Sequence, residues 1–107
     1  MIPQLEVCTF NISDLKKTIK YNVSRIELCI NKDVGGLTPP KKDIEFAVET
    51  NMPIHPIIRP RGGDFLYNNQ EMKSMISSIS FCREIGCKGI VIGVLDKKND
   101  IDIQKCN

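Results

Sequence analysis

The sequence predicts an α/β fold built on a parallel sheet, and three observations carry that prediction. Short apolar runs alternate with amphipathic stretches in the order β-α-β-α-β-α-β, the pattern that calls for parallel strands joined by right-handed crossovers. The last run, 89–95, is apolar throughout, as strands covered on both faces tend to be. No dinucleotide fingerprint opens a helix: Thr9-Phe10-Asn11-Ile12 contains no glycine, and Gly35-Gly36 lacks the third glycine that such a phosphate cradle needs. The remaining common solution is a (β/α) barrel, in which function gathers at the carboxyl ends of the strands. Such barrels use eight strands and about 250 residues. The 107 residues supply four strands and three helices, so the expectation is a single domain over 1–107 that forms half a barrel.

The elements follow in order. Leu5-Glu6-Val7-Cys8 is a short strand, and Asn11 or Ser13 caps a helix running to about Tyr21, with Ile12, Leu15, Ile19 and Val23 as its buried stripe. Arg25-Ile26-Glu27-Leu28-Cys29-Ile30 is the second strand. Gly35-Gly36 marks a loop, after which Thr38 and Pro39 read as the cap and first turn of a second helix with Ile44, Ala47 and Val48 toward the core. The third strand opens at Pro53 and ends near Arg59, where two arginines, two glycines and Asp64 break the apolar run into a loop. Asn68 with Glu71 resembles a capping box for a third helix, in which Met72, Met75, Ile76, Ile79, Cys82 and Ile85 recur at helical spacing and which Gly86 stops.

Composition narrows the function classes. At 41% hydrophobic and 26% charged residues the chain is an ordinary globular one. A net charge of +2, with lysine pairs scattered at 16–17, 41–42 and 97–98, points to neither nucleic acid nor a membrane surface. No apolar run approaches the ~20 residues of a membrane span, and Met-Ile-Pro-Gln-Leu-Glu lacks the regions of a signal peptide, which together place the chain in the cytoplasm. Five cysteines at irregular spacing then read as reduced thiols. Cys82 belongs to the helix core, Cys87 to a loop and Cys106 to the tail.

A weak repeat points to the site. Glu6-Val7-Cys8 matches Glu27-Leu28-Cys29, 21 positions on, and alternation along a strand puts Glu6 with Cys8 and Glu27 with Cys29 on shared faces. If the two strands are neighbours, about 4.8 Å apart, their thiols lie side by side within reach of one metal ion. Two soft thiolates favour Cu(I) over Ca, Mg or Mn, and a structural zinc site needs more ligands. The plainer reading keeps both cysteines as small buried hydrophobes. Glu6, Glu27, His55, Arg59, Arg61 and Asp64 also fall near the strand tips. Carboxylates and guanidiniums in one mouth would partly neutralise one another and leave donors for an anionic ligand. Equally, Glu6 and Glu27 could form an ion network that fixes strand register, Arg59 a core salt bridge, and His55 a hydrogen-bonded core residue. Phe65 and Tyr67 either lid this pocket or pack its loop down.

Five segments carry a family resemblance. Glu-Val-Cys at 6–8, Arg-Ile-Glu-Leu-Cys at 25–29, Gly-Gly-Leu-Thr-Pro at 35–39, Pro-Ile-Ile-Arg-Pro-Arg-Gly-Gly-Asp-Phe at 56–65 and Gly-Val-Leu-Asp at 93–96, in this order, resemble the copper homeostasis protein CutC family from Leu5 to Asp102. The resemblance implies a cytoplasmic TIM (β/α)8 barrel associated with copper handling, with Cys8 and Cys29 at the positions of the proposed Cu(I) ligands. Its fold and pocket also look like those of an enzyme. Members of the family are roughly twice as long, and their second half, with four more strands, has no counterpart here. The expectation is therefore a half barrel with open edges and an uncovered interior, which favours pairing with another copy.

Three functions remain in view. One is a copper homeostasis protein that binds Cu(I) through Cys8 and Cys29. Another is a barrel enzyme of the isomerase or lyase kind, in which Arg59 and Arg61 hold a small anion and Glu6 or Glu27 acts as base. The last is a truncated remnant without activity.

Overall fold

The computed structural model describes residues 3–107. Strands β1 (Glu6–Thr9), β2 (Arg25–Leu28) and β3 (Ile54–Pro56) form one sheet in the order β1-β2-β3, every pair parallel. Helices α1 (Ile12–Thr18), α2 (Lys41–Glu49) and α3 (Asn69–Ile85) separate and follow them, and a short α4 (Ile103–Cys106) comes near the end of the chain. Consecutive strands lying side by side with a helix in each connection is the winding that the sequence pattern predicts.

Local chemistry sets the helix boundaries. The Asn11 side chain accepts the Asp14 backbone N–H at 2.7 Å, so Asn11 rather than Ser13 caps α1. The helix ends at Thr18 rather than near Tyr21, with the Thr18 hydroxyl bonded back to the Asp14 carbonyl at 2.8 Å. For α3 the capping box forms in full: Asn68 accepts from Glu71 N–H at 2.8 Å and Glu71 accepts from Asn68 N–H at 2.9 Å. Gly86 closes this helix at φ 96°, where Cys87 N–H returns to the Cys82 carbonyl.

Two expectations need correction. Thr38 does not cap α2, which starts at Lys41 after Pro40. Its hydroxyl accepts the Arg59 N–H at 2.8 Å and donates to the Arg59 carbonyl at 3.2 Å, fastening the loop to the tip of β3. The run 89–95 is not a fourth strand. It makes one parallel bridge, Ile57 with Val91, just beyond the end of β3, in which Val91 donates to Pro56 and Ile58 donates to Val91, while Lys88 N–H reaches the Ile54 carbonyl at 3.2 Å. A parallel ladder extended in either direction would draw next on the N–H groups of residues 56 and 60. Both are prolines and have none.

The core lies between the sheet and the helices. Ile26, Leu28, Ile54 and Ile58 point into it from the sheet side, Leu15, Ile44, Ala47, Met75 and Cys82 from the helices, and Tyr67 and Val94 from the loops. The predicted stripes hold except at Ile76, which is exposed beside the buried Met75. Because side chains alternate along a strand, burying Ile26, Leu28 and Ile54 turns Glu27, Cys29 and His55 to the opposite face. That second face carries the chemistry.

Candidate functional site

The register of β1 on β2 decides what meets what. Glu6 pairs with Arg25 and Cys8 with Glu27, so the two Glu-x-Cys segments are staggered by one pleat rather than aligned. Cys29 lies beyond the end of β2, where its N–H bonds to the Thr9 carbonyl at 2.9 Å. The stagger still brings the sulfurs together, at 3.8 Å, with Cys8 exposed and Cys29 buried. Glu27 Oε2 sits between them, 3.3 Å from Cys8 Sγ and 3.7 Å from Cys29 Sγ. These three side chains form a group whose ligand atoms all lie within 4.8 Å of one another.

The group fits one small, soft ion. Thiolates about 2.3 Å from a shared tetrahedral ion lie roughly 3.8 Å apart, which matches the sulfur separation without rearrangement. Burial pushes the Cys29 thiol far up from its ordinary value, and the neighbouring Cys8 adds to this. Burial likewise raises Cys8, reinforced by its hydrogen bond to Glu27. At neutral pH both sulfurs are therefore protonated and donate toward the carboxylate. They become ligands only when an ion displaces their protons. Gly36 roofs the buried sulfur: a Cβ there would stand 3.3 Å from Cys29 Cβ and 3.4 Å from Cys29 Sγ.

The structure gives each of the other charged residues partners of its own. Glu6 is bound to Arg25 Nε at 2.5 Å on the outer part of the face. Arg61 pairs with Glu71 and more loosely with Asp64, at 3.2 Å, and also donates to the carbonyls of Gly62, Asp64 and Leu66. That clamp shapes the 61–66 loop, and the guanidinium holds the Glu71 carboxyl below its ordinary range. Arg59 is 8% exposed and makes no ion pair among the described residues. It donates to the carbonyls of Val34, at 2.5 Å, Gly36, at 3.1 Å, and Gly63, at 3.0 Å. His55 packs so closely on Gly89 that a Cβ there would come within 2.8 Å of the ring.

Three residues take roles that the sequence left undetermined. Arg25 shares a face with Glu27, but only the register reveals Glu6 as its partner. Glu71 was legible as a helix cap, while its second role on Arg61 depends on how the loop folds back. Tyr67, left open as lid or packing, is 2% exposed and belongs to the core, with the Arg61 guanidinium 4.9 Å from its ring centroid.

Comparison with known proteins bears on the family and the fold. The model of the CutC family matches residues 3–107. A family protein CutC of Klebsiella pneumoniae is 40% identical over 102 residues, covering 94% of this chain and 41% of that protein. Its counterpart in Pasteurella multocida is 41% identical over 104 residues, covering 96% and 43% respectively. Among solved structures, CutC of Streptococcus agalactiae, whose name assigns it to copper homeostasis, superposes with a TM-score of 0.89 at 36% identity, over 98% of this chain and 52% of that one. The chain thus spans about two fifths of the curated relatives' length and about half of the solved chain. With the family model matched over all but its first two residues, and the parallel βα winding shared with a solved member, the chain belongs to the CutC family.

Proposed function

We propose that this chain contributes a Cu(I) site to a cytoplasmic copper homeostasis protein, with Cys8 and Cys29 as its thiolate ligands and β1–β3 as the opening strands of a TIM barrel. One observation carries the reading: two thiols from adjacent strands lie 3.8 Å apart with a carboxylate against both. Soft thiolates favour Cu(I), and Glu27 is placed to accept the first proton that the metal displaces. Copper is the cargo here. Exposed Cys8 offers it an entry and buried Cys29 retains it. The test is a competitive Cu(I) titration of the unaltered chain against the Cys8→Ser, Cys29→Ser double variant. Affinity should fall by more than about 100-fold, a larger loss than removing an outer-shell partner gives. Equal affinity in the two proteins would sink the copper reading.

Proton displacement adds a second expectation. Both thiols titrate above the ordinary range, so binding at neutral pH must release their protons. Apparent Cu(I) affinity should therefore rise with pH, approaching about 100-fold per unit if two protons leave, and weaken correspondingly toward acid. For the metal-free fold the sign reverses. A thiol raised in the folded state stabilises it fully below the ordinary thiol value, and that contribution is lost as pH climbs above it. Proton release measured in two buffers of different ionisation enthalpy checks the first statement. Denaturation midpoints from neutral to alkaline pH check the second.

A further inference from the structure

A third side chain stands against the thiol pair, and binding Cu(I) through two thiolates gives it no place on the metal. Glu27 is half-buried, and its Oε2 lies 3.3 Å from Cys8 Sγ and 3.7 Å from Cys29 Sγ. Among the described residues it makes no ion pair, and Arg25, two positions earlier on the same face, is taken by Glu6. A partly buried carboxylate without a cation costs free energy. A Cu(I) dithiolate is already an anion, so it would set a second negative charge beside the first rather than balance it. A divalent ion does the opposite.

We propose that Cys8, Glu27 and Cys29 form a three-ligand site for a tetrahedral divalent ion of the zinc class, held through both sulfurs and Glu27 Oε2, with its fourth position open to an exchangeable ligand. The inference rests on the same thiol pair as the copper reading, though not on copper. Bonds of about 2.3 Å to sulfur and about 2.0–2.2 Å to oxygen, at tetrahedral angles, space two sulfurs roughly 3.8 Å apart and sulfur from oxygen roughly 3.5 Å apart. The observed separations are 3.8, 3.3 and 3.7 Å, so the side chains already trace one face of that tetrahedron. Donor type points the same way. Two thiolates disfavour Mg and Ca, and a carboxylate oxygen is a ligand that zinc accepts and soft Cu(I) does not seek. No other His, Cys, Asp or Glu joins the group among the described residues. Three protein ligands and one corner without a side chain is the arrangement of zinc sites that hold water or substrate, whereas structural sites are closed by four. Cys8 is exposed and Cys29 is buried against Gly36, so the open corner is reached from the Cys8 side.

Titration of the reduced chain with Zn(II) alone and with Co(II) alone, the latter as a spectroscopic stand-in, tests the proposal. Saturable binding is expected, and the Co(II) form should show sulfur-to-metal charge transfer together with the intense visible bands of tetrahedral coordination. Glu27→Gln keeps the shape of the side chain and removes its charge. Zn(II) affinity should then fall by more than about 100-fold, beyond the loss of an outer-shell partner, while Cu(I) affinity changes by less than about tenfold. The proposal is overturned if the unaltered chain does not saturate with Zn(II), if Co(II) binds octahedrally without sulfur charge transfer, or if Glu27→Gln holds Zn(II) as tightly as the parent. None of these outcomes touches the copper reading, which the Cys8→Ser, Cys29→Ser variant decides. Unchanged Cu(I) affinity in that variant, with Zn(II) binding lost, would sink copper alone and leave the three-ligand site standing. If Glu27→Gln misfolds, the Co(II) spectrum of the unaltered chain still decides the matter.

Discussion

Arg59→Met is expected to lower the stability of this chain by about 3 kcal/mol, with a melting temperature more than about 10 °C below the parent's. The substitution keeps most of the aliphatic stem and deletes the fork. Three carbonyls, of Val34, Gly36 and Gly63, lose a charged donor, and the bond to Gly36 is buried. Each hydrogen bond to a charged group contributes about 1.5–3 kcal/mol, and solvent can replace part of the loss at Val34 and Gly63. Those bonds tie two separate loops to the tip of β3, so the damage should spread beyond the contact itself. Amide hydrogen exchange should accelerate over 32–38 and 61–66 while α1 keeps its protection. A urea midpoint equal to that of the parent would show that the guanidinium does not hold the loops.

Gly36→Val is expected to cost a similar amount, about 3 kcal/mol, and to damage the thiol site without removing a ligand. At φ 103° the backbone lies where a β-branched residue is strained, and the new Cβ would press on Cys29 Cβ at 3.3 Å and on Phe10 Cε1 at 3.4 Å. Relief requires Cys29 to move, which widens the 3.8 Å sulfur pair. Cu(I) affinity should then fall about tenfold, the scale of losing support behind a ligand. Gly86→Ala is the matched control. Its φ is 96°, but nothing lies within 4 Å of the added carbon, so only the backbone strain, about 1 kcal/mol, should register and copper binding should not change. Equal effects from the two glycines would refute the contact argument.

The features legible in the sequence were the local ones. Asn68 and Glu71, three residues apart, announced the start of α3 because a capping box is closed within a single turn. The spacing of Leu15, Ile44, Ala47, Met75 and Cys82 identified the buried helix faces, since helical period alone decides which side chains share a stripe. Strand alternation put Glu6 with Cys8 and Glu27 with Cys29, and the repeat pointed correctly to two neighbouring thiols. Thr38 was misread because cap chemistry looks the same whether the hydroxyl serves its own helix or a strand tip 21 residues away. The run 89–95 was misread because its apolar character reports burial, whereas strand pairing depends on the N–H groups that β3 can offer it.

By itself, then, the sequence determined the βα alternation, the helix caps and the residue types able to bind a soft metal or an anion, all set by interactions spanning a few positions. Tertiary structure alone decided the partners. The one-pleat stagger of β1 on β2 gave Glu6 to Arg25 and Glu27 to the thiols, and the fold of the 61–66 loop gave Arg61 to Glu71. It gave Arg59 to the carbonyls of Val34, Gly36 and Gly63. Register and loop path rest on contacts between segments far apart in the chain, and composition and spacing carry no record of which distant group a charge will meet.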